Sequence, residues 1–329
     1  MTKRTRYFLM GSASLMALGL CTGLIAYYGG LPSFTAATTG PQELRYVPAE
    51  AALVGYANVR DVMNSDLRQR VHTVIPKHER EQHDLEKHTG INVERDIDHV
   101  VAALVKFEAH AKDTAGMVLA RGRFDNVRLE ALAREHKGVI EDYKGKRLVR
   151  PPAEVHGGRG PAVAFLEPGL IALGDDVTLR RAIDTYAGGG QNLTTNKEMM
   201  GLIRDVEAAS NAWAVGRFDS LPNRANLPPA VMAQIPAMRY FVAAGRVNGG
   251  ISGTLRVEAR DDESAKNLRD VVGGILALAR LQAGSRPELQ AMVQTLQLSG
   301  TGKTVALSFN VPAQVIDAFA PKKTPSSKQ

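Results

Sequence analysis

The residues with the most suggestive spacing are Gly300–Thr304 (GTGKT), which reproduce the end of a phosphate-binding P-loop. In such a loop, backbone amides cradle the phosphates and the lysine reaches the outer ones. The full pattern requires a glycine five places before Gly302, and Gln297 stands there. Val305, Leu307 and Phe309 then alternate as a strand, whereas a phosphate site needs a helix N-terminus to present its donors. A hairpin turn over Ser299–Lys303 accounts for every residue of the segment.

Histidines offer the second chemistry, because six of the eight fall between His72 and His110. Two histidines that share a zinc ion on a regular helix stand four apart; His78 and His83, like His83 and His88, stand five apart. Five residues turn a helix by about 140°, so the rings face different ways. The intervening Lys77–Lys87 stretch is nearly all charged or polar and reads as a solvated helix face.

Other patterns resolve in the same direction. The glycine runs Gly157–Gly160 and Gly188–Gly190 do not lie between a strand and a helix start, so they read as a loop and a helix stop. No serine after the leader stands in a G-x-S-x-G elbow. Asp96 and Asp98 read as a solvated turn, and Trp213 as core filling. The sequence therefore assigns no catalytic, cofactor-binding or metal residue, and implies no cofactor.

The clearest signal concerns address. Tyr7 to Tyr28 is a run of 22 uncharged, mostly apolar residues behind Lys3, Arg4 and Arg6. At about 1.5 Å per residue it makes a helix of roughly 33 Å, enough to cross a hydrocarbon core of about 30 Å. The basic flank favours the cytoplasmic side, so the expectation is a single-pass bacterial inner-membrane protein with its C-terminal region in the periplasm or outside the cell. Two other readings stand beside an uncleaved anchor. A cleaved signal could use Thr35–Ala37, and a lipoprotein signal could use Cys21, although Leu20 precedes that cysteine.

The net charge of +7 is carried by the ends. Removing the three leader cations and Lys322, Lys323 and Lys328 from the 41 leaves 35 basic against 34 acidic residues over 41–320. A nucleic-acid binder concentrates positive charge on its folded domain, so no nucleic-acid partner is expected. The single cysteine, Cys21, lies in the leader, which leaves the exported region without disulfides. With only 5% aromatics, its core must come from aliphatic side chains and methionine.

The elements follow from periodicity. Residues 29–43 read as a linker and 321–329 as a disordered basic tail. Between them the expected strands are Leu53–Val59, Val100–Val105, Gly116–Phe124, Lys146–Val149, Val163–Leu166 and Leu170–Leu173. They continue with Asn211–Phe218, Tyr240–Val247, Ile251–Ala259, Thr295–Ser299 and Val305–Phe309. Helices are expected over Arg60–Ile75, after Asp125, from Asp176, from a Thr195/Glu198 capping box, and from Asp261 or Asp262. The last of these turns Ala265, Leu268, Val272, Ile275 and Ala279 inward. Gly273–Gly274 within it suggests close packing or a break. Further helices are expected after Ser285 and over Ala313–Phe319.

Two halves, 44–190 and 191–320, share one order of elements. VGYANVRD at Val54–Asp61 parallels AWAVGRFD at Ala212–Asp219, and MVLARGRFD at Met117–Asp125 parallels GTLRVEARD at Gly253–Asp261. The expected fold class is α+β: two related halves of antiparallel sheet, covered on one face by helices, preceded by one transmembrane helix.

Four segments together carry a family likeness: Tyr46–Asp61, Thr89–Asp98, Val118–Asp125 and Ala259–Gln282. They resemble uncharacterised bacterial envelope proteins with an N-terminal anchor and duplicated α+β halves. The resemblance spans most of 44–320 and implies fold and address, but no catalytic residue. It departs from lipid-anchored members at Cys21. The functional expectation is a membrane-anchored, non-enzymatic interaction or scaffold protein with an envelope protein as partner. The alternative is a carrier of a lipid or other apolar ligand, motivated by an aliphatic composition with ten methionines.

Overall fold

The computed structural model describes residues 40–68, 86–87, 89–106, 114–152, 161–208, 210–218, 238–284 and 287–313. The anchor residues Tyr7 and Tyr28, the flank Lys3, Arg4 and Arg6, the histidines His78, His83 and His88, Gly157–Gly160 and the basic tail lie outside them. Among the described residues no helix is long and apolar enough to cross a membrane.

Twelve strands form one antiparallel sheet. They are β1 (Leu53–Ala57), β2 (Ile97–Lys106), β3 (Thr114–Gly122), β4 (Val139–Tyr143), β5 (Lys146–Arg150) and β6 (Ala162–Glu167). After these come β7 (Leu170–Gly174), β8 (Ala212–Arg217), β9 (Met238–Val247), β10 (Gly250–Ala259), β11 (Gln297–Ser299) and β12 (Thr304–Pro312). Their spatial order is β11-β12-β10-β9-β8-β1-β2-β3-β7-β6-β5-β4. The chain is thus α+β, as its patterning indicates.

The two sets of strands meet at β1 and β8, which pair antiparallel with Gly55 opposite Ala214. Outward from β1 the sheet runs β1-β2-β3-β7-β6; outward from β8 it runs β8-β9-β10-β12-β11. The sequence parallels fall on these corresponding positions, β1 with β8 and β3 with β10. After β3, Asp125 caps the next helix by accepting from Arg128 N; after β10, Asp261 accepts from Ser264 N.

Helices cover both faces of the sheet rather than one, because the strands carry apolar side chains at both parities. One face presents Val54, Val101, Ala103, Met117, Trp213 and Val215 to α4 (Asp176–Tyr186) and α5 (Lys197–Glu207). Leu179 and Ile183 of α4, and Met199 and Ile203 of α5, complete that main core. On the other face, Leu129 of α3 (Asn126–Glu135) packs with Ala120, Phe165 and Ile171. Further along, Ala265 and Leu268 of α6 (Asp262–Ala283) pack with Val305 and Val257. The helix α7 (Pro287–Gln294) lies against α6. Two shorter helices, α1 (Val59–Met63) and α2 (Val93–Asp96), flank the start of β2.

Several local expectations change. The capping residue of α5 is Asn196, which accepts from Met199 N, and not Thr195, whose hydroxyl donates to Asn192 O. Glu198 is drawn away from the helix start by Arg239, at 2.7 Å. Strand β4 is an additional element. Its turn to β5 places both Lys144 (φ 52°) and Gly145 (φ 76°) in the left-handed region, as a tight hairpin requires. Gln42 and Glu43, at the end of the expected linker, belong instead to a 3-10 turn, Gln42–Tyr46. The Ser299–Lys303 segment is the hairpin turn its residues suggest, with Gly300 at φ 106° and Gly302 at φ 54°.

Candidate functional site

A group of buried and half-buried ionisable side chains gathers on β2, β3 and β6. His99 on β2 and Arg121 on β3 are direct cross-strand partners and point to the main-core face. The 3-10 turn lays Glu43 across them. Arg121 Nε donates to Glu43 Oε1 at 2.8 Å, and His99 Nε2 stands 3.3 Å from Oε2. Arg121 Nη2 also reaches Glu167 Oε2 at 3.4 Å, and Tyr46 donates to Glu167 Oε1 at 2.9 Å. Tyr46 in turn stacks on Tyr186 of α4, with ring centroids 4.2 Å apart. The strap that follows is tied down by backbone bonds, Leu193 N to Val47 O and Ala49 N to Gln191 O.

The chemistry of this group follows from its electrostatics. The Glu43 side chain is only 3% exposed, and burial alone would raise its pKa. The His99 ring beside it and the hydrogen bond from Arg121 override burial and hold the carboxyl down to about 2. Glu167 is likewise held below its usual range, against burial, by Tyr46 and Arg121. Burial, and then the bond to Glu167, push the Tyr46 phenol far up. A general base needs a pKa raised toward neutrality and an open approach. Here the carboxylates are held ionised with their oxygens occupied, which makes the group a structural clamp.

A second group gathers on α4 and the β4–β5 hairpin. Arg180 donates to both oxygens of Glu141, at 2.9 and 2.8 Å, and to Asp176, while Tyr143 and Lys144 hold Asp184. It is a surface network that fixes the edge strand to the helix.

Beside α5, a small open cleft of about 160 Å³ is lined by Leu202, Asp205, Tyr240, Val242, Arg256, Glu258 and Thr304. Arg256 crosses it to Asp205 at 2.9 Å. Pockets for drug-sized molecules run to about 300–1,000 Å³.

Among the described residues, three large exposed apolar side chains share α6. Ile275 is 51%, Leu278 60% and Leu281 79% exposed, and together they form one stripe at helical spacing. Ile275 was expected inward, but the buried residue is its neighbour Leu276, 7% exposed. The glycines beside it do not break the helix, which runs unbroken from Asp262 to Ala283. Nor do they serve close packing within the chain. A Cβ at Gly273 would meet Leu298 at an ordinary 3.8 Å, and one at Gly274 would meet nothing within 4 Å. Met292 on α7 and Leu255 on β10 add further exposed apolar surface.

The residues singled out from the sequence are scattered. Lys303 lies in the β11–β12 turn, where Arg269 of α6 donates to Gly302 O and Thr304 O. Asp98 pairs with Arg60, and Asp96 accepts from Asn92 N and Arg95. Trp213 is fully buried and stacks 5.7 Å from Tyr56. His99 alone of the His72–His110 set is described, and it serves the clamp. Among the described residues no group of three or more histidine, cysteine or acidic side chains is placed to hold a metal. The clamp was not visible beforehand because Glu43, His99, Arg121 and Glu167 are far apart in the chain and no motif joins them.

Comparison with known proteins adds little. No family model matches the chain, and no curated protein matches it. Among solved structures it is similar to crystal form I of TP0453, at 10% identity and a TM-score of 0.45, over 85% of this chain and 96% of that one.

Proposed function

We propose that the chain is a membrane-anchored, exported, non-enzymatic interaction or scaffold protein of the bacterial cell envelope. In this reading residues 7–28 span the inner membrane, and Lys3, Arg4 and Arg6 stay in the cytoplasm. The observation that carries the reading is the α6 stripe of Ile275, Leu278 and Leu281. Exposed aliphatic side chains grouped on one helix face contribute nothing to the isolated fold and acquire a use when another surface covers them. The engagement of the ionisable clusters in structural bonds supports a non-catalytic role. The matching strand order on either side of the β1–β8 seam supports a duplicated unit, with halves 44–190 and 191–320.

The alternative of an apolar carrier finds less support. The main core is filled by Trp213, Leu44, Met199 and Leu179, each fully buried, and the cleft beside α5 is small and partly charged.

The experiment compares full-length protein, extracted from its native membrane in mild detergent, with a Leu278→Glu/Leu281→Glu variant. A stoichiometric protein partner that the variant loses at unchanged thermal stability supports the reading. A defined lipid or metabolite in place of any protein, or equal recovery of partners by both forms, overturns it. Deletion of residues 1–28 is expected to release the domain from the membrane fraction.

A further inference from the structure

We draw no further inference here: the strongest candidate, the exposed apolar stripe of Ile275, Leu278 and Leu281 on α6, belongs to the surface already described, and nothing in the structure shows what covers it.

Discussion

Arg121 Nε meets Glu43 Oε1 at 2.8 Å, and this contact pins the 3-10 turn Gln42–Tyr46 onto β3. Glu43 sits in the 3-10 turn Gln42–Tyr46, while Arg121 also holds Glu167 at the end of β6. One guanidinium thus joins the strap, β3 and β6.

Truncating Arg121 leaves Glu43 almost wholly buried with only His99 beside it. Removing one member of a buried ion pair costs about 3–5 kcal/mol. Because Arg121 is itself a quarter exposed, Arg121→Ala is expected to cost nearer the lower end. Urea unfolding measures the loss. In a double-mutant cycle with Glu43→Gln, which removes the charge while keeping the shape, the two losses should fall well short of additive. Full additivity would mean that the two residues do not act together.

The same carboxylate fixes an acid limit. Its pKa in the folded state is about 2 against 4.5 for the free side chain, so the unfolded chain binds its proton first as pH falls. Glu43 therefore contributes its full stabilisation above about pH 4.5 and loses it as pH falls through about 2. The shift corresponds to about 3 kcal/mol at most. Glu167, also held low, loses stabilisation in the same direction. Urea midpoints taken from pH 6 down to pH 2 should fall steeply in the wild type and more gently in Glu43→Gln. Parallel curves would remove Glu43 from the acid response.

Much of the architecture could be read from local pattern. The strand–Asp–helix joins at Asp125 and Asp261 hold as capped helix starts, and the Ser299–Lys303 turn holds as a hairpin. What escaped was set by partners distant in sequence. Strand β4 has mostly exposed or half-buried residues with little alternation, and only the turn at Lys144–Gly145 marks it. Ile275 and Leu276 are adjacent aliphatic residues, and periodicity could not choose between them; in the fold Leu276 is buried and Ile275 half exposed. Thr195 and Asn196 are both good caps, and the strap resolved them, since Asn196 Nδ2 also donates to Ala49 O. The clamp needed the pairing of β2 with β3 before its charges could meet.

The caps give a sharp contrast between neighbours. Asn196→Ala removes the acceptor for Met199 N and the bond to Ala49 O, and should cost about 1–2 kcal/mol. Thr195→Ala removes only a hydroxyl bond to Asn192 O and should cost well under 1 kcal/mol. Thermal unfolding of the two variants side by side decides it. A larger loss at Thr195 would restore the capping-box reading.

Glycines divide in the same testable way. Gly216 and Gly253 each face a cross-strand phenylalanine, Phe241 and Phe309. A Cβ would come within 2.4 Å of the first ring and 2.6 Å of the second. Phe241 and Phe309 thus lie across strands that lack a side chain at those points. Gly216→Ala and Gly253→Ala should each cost about 1–3 kcal/mol through displacement of the ring. Gly274 is in regular helix with open space around it, so Gly274→Ala should stabilise by about 1 kcal/mol. A loss at Gly274 would show that the position is packed after all.

Exposure on α6 separates folding from interaction. Leu276 is buried, and Leu276→Ala should cost about 2–5 kcal/mol, as truncation of a buried leucine does. Leu278 and Leu281 are mostly in water, so Leu278→Glu/Leu281→Glu should change stability by less than about 1 kcal/mol in total. Purified protein lacking residues 1–28 tests this directly by urea unfolding, since no partner is present to blur the reading. A large destabilisation by the double substitution would place those side chains within the fold of the chain itself, and the interaction reading would lose the observation on which it rests. Unchanged stability leaves the two leucines without a task inside the molecule. Any effect of the same substitution on partner recovery would then report on what binds there.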